Sequence, residues 1–481
     1  MTRINTNIPA IRTINRMAAN QSDLELRLER LATGLQINRG RDDPAGLIVS
    51  ELLRSDIRTT QQAIDNSTRA NNVISTAEGA MNELSALLLD LQALVVQTAN
   101  EAGLTRGEVE ANQLEMDALL DSIDRIAATT EFAGKRLLDG TLSYTLSGVV
   151  PDELASVEVY STNVSLGATR EITIQVTQSA QTARLEFVGA NPGGQSFLSA
   201  ATIEVKGALG RQVLSFADGA TLADVRTAIN ASRDITGVSA VLSAAGVGAS
   251  AVVLTSLTVG SDAFVSVEPL DGNFVESGNA GTTLRDVGVD AGVLINGQIA
   301  NVKGRRADVR SPLLDARIYL SPARSQTIGT STFHVTGGGA LFQITPEVSP
   351  NGQVFVGLSS LVTTKLGNTD VGLLHTLRSG LENDLFTKNF PTAQTIVEEA
   401  INQVASLRGR LGSVQRNHID TNINSQRIAL ENVTASESVI RDAEMAKEIS
   451  ALTRAQILVQ STQATLQIAN QVPQSVLALL K

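Results

Sequence analysis

Cysteine and tryptophan are absent from this 481-residue chain, histidine occurs three times, and 11 Phe and 3 Tyr are its only aromatics. Without cysteine there are no disulfides, no thiolate nucleophile and no thiolate metal site, and the redox compartment stays undetermined. His334, His375 and His418 lie far apart and none falls in HExxH or another ligand-spaced cluster, which argues against a zinc or histidine-based active site. The expectation is no metal and no cofactor. No run approaches the roughly 18 apolar residues that cross a bilayer, and the first residues have no hydrophobic core of a cleavable signal. Membrane insertion is therefore not expected. With 38 basic against 49 acidic residues the net charge is -11, which argues against a general phosphate-neutralising surface and so against a nucleic-acid partner, while leaving room for a local basic patch. The length allows about three folding units, and 42% hydrophobic with 18% charged residues is enough apolar material to fold them.

Proline and the aromatics are also missing from particular places. Neither the stretch between Pro44 and Pro151 nor that between Pro391 and Pro473 is interrupted, so both permit long helices. Every aromatic lies between Phe132 and Phe390, so both chain ends must pack with aliphatic side chains. Ile74, Ala77, Met81, Leu84, Leu88, Leu91 and Val95 alternate steps of three and four, the seam of a coiled coil. Val397, Val404 and Leu411 recur every seven residues, with Ala400, Leu407, Val414 and Ile428 on the companion register. His418 falls on the first register and reads as a polar seam residue that fixes the pairing. Met17, Leu24 and Leu31 repeat the spacing near the N-terminus, as do Ile14, Leu28 and Leu35 around Gln21; Met445, Leu452, Val459 and Leu466 do so near the C-terminus. The opposite faces hold Gln, Asn, Ser, Thr and Ala more than charge. Such helices are poor at standing alone and are expected to order when they meet partners.

Gly34 and Gly40 weaken the first helix, and Asp42-Asp43-Pro44 reads as a cap followed by proline in the first turn of the next. A shorter helix from about Glu108 to Ala127 shows Met116, Leu119, Ile123 and Ile126 on one face. Between about 140 and 375 the pattern becomes short alternating segments: Ile172, Ile174 and Val176; Ile203 and Val205; Phe264, Val265 and Val267; Val354 and Val356. Turn pairs separate them, including Pro192-Gly193, Asp218-Gly219, Asp271-Gly272, Asn296-Gly297 and Asn351-Gly352. Leu222 to Asn230, capped by Thr221, is the helical exception, with Leu222, Val225 and Ile229 on one face. Gly337-Gly338-Gly339 and Asn191-Pro192-Gly193-Gly194 lack the Lys-Ser/Thr of a phosphate loop and read as connections between strands. The acidic pairs Asp42-Asp43 and Glu398-Glu399 stand near helix starts, where capping accounts for them without catalysis. No catalytic constellation remains.

The ends carry a family resemblance. Thr2-Arg3-Ile4-Asn5-Thr6-Asn7, Leu31-Ala32-Thr33-Gly34-Leu35-Gln36-Ile37-Asn38 and Asp42-Asp43-Pro44-Ala45-Gly46-Leu47 resemble the N-terminal signature of bacterial flagellins. Ile440 to Ala446, Gln456-Ile457-Leu458, Ala469-Asn470-Gln471 and Pro473 to Leu480 resemble the C-terminal one. Phe342-Gln343-Ile344 with Asn351-Gly352-Gln353 is similar to the hairpin before the C-terminal helices of that family. Residues 201–267, with Phe216 to Asp224 and Thr236 to Ala240, resemble the flagellin hook IN motif.

The resemblance implies an α+β multidomain chain whose N- and C-terminal helices pair into a coiled-coil helical core, with β-rich outer domains between. The divisions expected are an inner-tube helix and connector over 1–43, helical core over 44–140 and 376–438, outer β segments over 141–290 and 291–375, and a C-terminal inner-tube helix over 439–481. It implies a filament subunit for motility, exported unfolded by the flagellar type III apparatus and secreted to the cell exterior. Its partners would be further copies of itself, the filament cap, the hook–filament junction proteins, the export apparatus and an export chaperone. Ile4, Ile8, Ile11, Leu24, Leu28 and Leu31 with Leu452, Val459, Leu466 and Leu477 would make the innermost subunit contacts. Ile74, Met81, Leu84, Leu88, Leu91 and Val95 with Val397, Val404, Leu407 and Leu411 would make the next layer. Enteric flagellins that trigger the flagellin-sensing Toll-like receptor carry basic residues where this chain has Asp90 and Leu119, while the acidic partner is kept as Glu115; weak receptor activation is implied. The alternative within the same class is the hook–filament junction protein, which stops at short rings. A metalloprotease insertion lacks its HExxH, and a generic β-rich adhesin leaves the paired signatures unexplained.

Overall fold

The computed structural model describes residues 6–100, 103–162, 169–188, 200–245, 249–272, 275–276, 279–280, 284–311, 313–368 and 371–479. The chain divides into two compact units, one built from 1–71, 343–353 and 416–481, the other from 72–342 and 354–415.

In the first unit, α1 (Ile8–Thr33) starts where the Asn7 side chain accepts from the Ala10 amide at 3.1 Å and stops at Gly34, whose φ of 72° is the left-handed cap expected of glycine. The next helix, α2 (Pro44–Thr98), begins as the sequence implies. Asp43 Oδ1 accepts from the Gly46 amide at 3.0 Å, and Asp42 closes the preceding connector by accepting from the amides of Asn38 at 3.1 Å and Arg39 at 2.8 Å. Those amide bonds hold the Asp42 carboxyl below its ordinary value. A hairpin closes with the Ile344 amide donating to Gly352 O at 2.9 Å.

The second unit begins with the rest of α2, followed by α3 (Arg106–Thr129), entered through a reciprocal Thr105–Glu108 capping box. Its buried face is Met116, Leu120, Ile123 and Ala127, whereas Leu119 and Ile126 are half-buried. The expected stripe thus keeps Met116 and Ile123 and rotates around them, because helical spacing fixes that a stripe exists and neighbouring elements fix its centre. Two antiparallel sheets then enclose a first β core. One runs in the order Gln298–Ile299, Gly292–Ile295, Arg170–Gln178, Gly329–Gly338, Tyr144–Ser147; the other Asn301–Lys303, Arg306–Ser311, Leu314–Leu320, Leu154–Thr162. Ile172, Ile174 and Val176 alternate into it, as a period of two demands, with Ile172 directly opposite Phe333 on the neighbouring strand and Val335 buried in the same core. Asn296 and Gly297 both take positive φ in the hairpin that follows Gly292–Ile295. Gly337-Gly338-Gly339 departs from the connection read in the sequence: Gly337 and Gly338 end the strand Gly329–Gly338, paired with Thr145 and Tyr144, and only Gly339 connects it onward, since a Cβ on Gly338 would stand 2.2 Å from Ser143 O and glycine lets the strands come that close.

A second β core is formed by Thr182–Val188, Ala249–Val259 and Val238–Ala245 in one sheet and Phe264–Asp271, Ala201–Gly207 and Arg211–Phe216 in another. Over it lies α4 (Leu222–Ala231), capped by Thr221 and Asp224, with Leu222, Val225 and Ile229 buried as expected; the four-residue α5 (Arg233–Thr236) follows. A one-turn α6 (Pro322–Ser325) belongs to the first core region. Residues on both sides of 290 share the first core, which takes 144–180 and 291–335. A division at 290 therefore cuts through it: turn residues mark where a chain reverses and carry no information on which strands it reverses between. Pro192-Gly193 and Asn191 to Gly194 lie outside the described residues.

The chain returns as α7 (Phe390–Val414), passes through a π-helical turn Gln415–Asp420, and continues as α8 (Thr421–Arg441) and α9 (Met445–Leu479). The π turn corrects the reading of His418. An inserted residue advances the stripe by one, so Ile419 is fully buried and Ile423 is buried after it, whereas His418 is exposed. Ile428 likewise leaves the companion register and is exposed.

Candidate assembly surfaces

In the second unit the expected seam is a closed core. Ile74, Ala77, Met81, Leu84, Leu88, Leu91 and Val95 are buried on α2, and Val397, Ala400, Val404, Leu407 and Leu411 are buried on α7. The two helices run antiparallel, tied by Gln92 to Glu398 at 3.3 Å, Arg408 to Ser85 Oγ at 3.4 Å and Gln415 to Ser75 Oγ at 3.4 Å. By length and composition α2 is apolar enough to cross a membrane, a property that the search for uninterrupted apolar runs missed. The covered stripe accounts for Ile74, Ala77, Met81, Leu84, Leu88, Leu91 and Val95 of its apolar side chains. On α3, Gln113 donates to Leu377 O at 3.0 Å and accepts from the Leu385 amide at 2.8 Å, and Asp124 receives the Thr363 amide and hydroxyl and Arg378. Residues so buried have no area left to give a partner. Leu89, at 55% exposure, and Val96 and Leu114 face outward instead.

The terminal helices differ. α1 and α9 are antiparallel: Asn7 donates to Ala469 O at 2.8 Å, Asn20 reaches Leu458 O at 3.4 Å, and Arg27 meets Glu448 at 3.0 Å. Past their ends the Gln36 amide donates to Arg441 O at 2.7 Å and the Ala443 amide to Gly34 O at 2.8 Å. A stripe of covered residues runs the length of α1 through Ala10, Thr13, Met17, Asn20, Leu24, Arg27 and Leu31, in steps of three and four. Its counterpart on α9 is Glu448, Leu452, Ala455, Val459, Thr462, Leu466 and Ala469 in the same steps. This is a coiled-coil seam of which half the positions are small or polar. The sequence reading found Met17, Leu24 and Leu31 with Leu452, Val459 and Leu466, but put Met445 on that register and Ile14 and Leu28 on its companion, and all three are exposed; the true companion is hidden because Ala, Thr and Asn do not stand out from a surface. The signal available was the seven-residue spacing of Glu448, Ala455, Thr462 and Ala469.

One position on that seam is charged on both sides. Glu448 is 5% exposed and accepts from Arg27 at 3.0 Å and from Arg30 at 3.3 Å. Burial alone would raise its carboxyl, but the two guanidinium groups override this and hold it below the ordinary glutamate value. A single ion pair on a seam sets its register.

What the seam does not cover is apolar too. Ile8, Ile11, Ile14 and Leu28 on α1, and Met445, Ile449, Ile457, Leu458 and Ile468 on α9, are exposed. Ile8, Ile11, Ile14 and Leu28 thus sit outside the intrachain seam, while Leu24, Leu31, Leu452, Val459 and Leu466 are half-buried within it. Ile4 and the side chain of Leu477 lie outside the described residues. Exposed aliphatics concentrated on one helix pair mark an interaction surface. Asp90 on α2 and Glu115 on α3 are exposed and Leu119 is half-buried.

Such a chain, with both ends joined in one helical pair that leaves further aliphatic residues open, is a structural subunit made to pack on copies of itself. Residues 4–143 match the bacterial flagellin N-terminal helical region, 394–480 the C-terminal helical region and 202–258 the flagellin hook IN motif. The flagellin of Bacillus subtilis is 28% identical over 480 residues, covering 100% of both chains, and that of Salmonella rubislaw is 28% identical, covering 99% of each. Among solved structures, flagellar hook associated protein-3 from Legionella pneumophila matches with a TM-score of 0.31 at 11% identity, covering 80% of this chain and 97% of that one. This chain belongs to the bacterial flagellin family. It is a structural subunit that self-assembles into the extracellular flagellar filament for motility, and the hook-associated alternative is not favoured.

Proposed function

We propose that filament growth uses the aliphatic residues left open beside the terminal seam, Ile8, Ile11, Ile14 and Leu28 of α1 and Ile449, Ile457, Leu458 and Ile468 of α9, as the innermost subunit contacts. The observation that carries this reading is their exposure on a helix pair whose own seam is already filled. Ile4 and Leu477 would extend that surface at the two tips. Leu24, Leu31, Leu452, Val459 and Leu466 join the two ends of one chain, and the stripes from Ile74 to Val95 and from Val397 to Leu411 hold the helical core, with subunit contacts beside them at residues such as Leu89. Burial on assembly offsets the entropy both ends lose on ordering. Export of the unfolded chain through the flagellar type III apparatus with a chaperone, and growth between the junction proteins and the cap, complete the reading. Electron microscopy of the purified chain seeded with sheared filaments tests it. Long filaments are expected from the full chain, and none from a chain lacking 1–40 and 440–481 or from the double variant Ile11→Ser, Ile457→Ser. Normal filaments from the double variant would remove the assignment of the open face.

The acidic Asp90 and aliphatic Leu119, at positions where activating flagellins are basic, support weak activation of the flagellin-sensing receptor despite Glu115. Full potency in a receptor reporter assay would refute this.

A further inference from the structure

Where α7 meets the first β core, the contact is polar. From the sheet come Glu158 and Tyr160 on strand Leu154–Thr162, and Arg317 and Tyr319 on strand Leu314–Leu320, with Glu158 paired directly across from Arg317. From α7 come Glu399 and Arg410. The Tyr160 hydroxyl donates to Glu158 Oε2, and the Tyr319 hydroxyl donates to Glu399 Oε1 at 2.9 Å. Arg410 lies over the Tyr160 ring with its guanidinium carbon 3.7 Å from the centroid, and its Nη1 donates to Asp315. Its Nε and Nη2 are buried without a hydrogen-bond partner. Arg317 is engaged by Asp308 at 2.9 Å, which Arg306 also meets at 3.2 Å.

The charges do not balance when every carboxyl is ionised. Asp308 and Asp315 have guanidinium partners, whereas Glu158 and Glu399 are held by tyrosine hydroxyls and form no ion pair among the described residues. One of these two carboxyls is on the sheet and the other on the helix.

We infer that this cluster is a proton-operated latch between α7 and the first β core, closed while Glu158 carries a proton and loosened when Glu158 ionises opposite Glu399. Burial pushes the Glu158 carboxyl up, against the hydrogen bond from Tyr160 and the nearby charges of Arg317 and Arg410, and Glu399 adds to the rise. The sign follows from proton counting. A closed latch that binds more protons than the open one is favoured at low pH, and closure weakens as pH rises above the ordinary glutamate value of 4.5 until Glu158 is fully ionised. The groups facing Glu158 are Tyr160 on its own strand, Arg317 and Tyr319 on the adjoining strand, and Glu399 and Arg410 on α7. Over that window both arginines stay charged and burial pushes the Tyr160 and Tyr319 hydroxyls up, so neither tyrosine gives up its proton.

The latch lies on the path from the helical core to both β cores, so its state sets how firmly the outer mass is held by the bundle. Hydrogen exchange with mass spectrometry on the full-length chain, corrected for intrinsic rates, tests it at about pH 5 and about pH 7.5. Peptides from Leu154–Thr162 and Leu314–Leu320 are expected to lose about tenfold in protection at the higher pH, against no such change in Ala201–Gly207 of the second core. Glu158→Gln, a neutral mimic of the protonated acid, should hold the closed level at both pH values, and Glu399→Gln should shrink the difference. Equal protection at both pH values in the unaltered chain overturns the latch. So does an undiminished drop in Glu158→Gln, or the same drop in Ala201–Gly207. If Glu158→Gln fails to fold by far-ultraviolet circular dichroism, Glu399→Gln decides: a reduced drop supports the latch and an unchanged one refutes it.

Discussion

Leu88 and Leu89 are chain neighbours on α2 with opposite surroundings, at 0% and 55% exposure. That contrast separates folding from assembly. Truncating Leu88 to alanine removes three buried carbons, worth about 2.4 kcal/mol of transfer energy at about 0.8 kcal/mol per methylene. The surrounding stripe, with Leu84, Leu91 and α7 across the seam, cannot close fully around the gap, so the cavity brings the total to about 3–4 kcal/mol. Against a typical stability of about 5–15 kcal/mol this is a large share, and it multiplies the unfolded fraction by more than about a hundredfold. Leu89→Ala should change monomer stability by less than about 0.5 kcal/mol. Urea unfolding of the unpolymerised chain, followed by circular dichroism at helical wavelengths, reads both values, and seeded polymerisation reads the other consequence. The expectation is a lowered midpoint at constant slope for Leu88→Ala, and reduced filament yield with an unaltered midpoint for Leu89→Ala. A Leu88→Ala monomer as stable as its parent would refute the assignment of this stripe to the intrachain core.

The terminal pair should respond to acid. Glu448 is held below its ordinary value of 4.5, so the stability it contributes is complete above that pH and is lost as pH falls through its lower folded value; filament light scattering should collapse there, with Glu448→Gln filaments weaker already at neutral pH. Removing the cap of α2 by Asp43→Ala should cost about 0.5–2 kcal/mol in the same urea assay, because the Gly46 amide loses its acceptor. On α3, Leu120→Ala should lower the stability read from urea unfolding by about 2–4 kcal/mol and Leu119→Ala by clearly less; the reverse order would restore the stripe expected from spacing alone.

Long helices, their caps at Asp43 and Thr221, the alternating strands and the Asn296-Gly297 turn were legible because each rests on neighbours in sequence. The paired ends were legible through their signatures. What escaped was decided by distant contacts. The π turn at Gln415–Asp420 leaves no mark in composition, so the register beyond it slid from His418 to Ile419. The polar half of the α1–α9 seam is invisible to a search for leucine and isoleucine, and the roles of Arg27 and Glu448 depend on a partner more than four hundred residues away. Nor does periodicity say whether a stripe faces its own chain or another: Met81 and Ile11 look alike in sequence, and only the fold covers one and leaves the other open.

The second β core leaves and re-enters the first at one spot, where the Gln181 amide donates to Val289 O at 2.9 Å and the Val289 amide donates back to Gln181 O at 3.0 Å. Strand ends already clasped in this way need only a short turn to be joined, so the stretch between them behaves as a removable cassette. Its size and surface are free to change by exchange at that clasp, while the helices at the chain ends, where copies must fit one another, go on unaltered. A lineage under pressure to alter what its filament shows to the outside has here a place to do so without relearning how to build it.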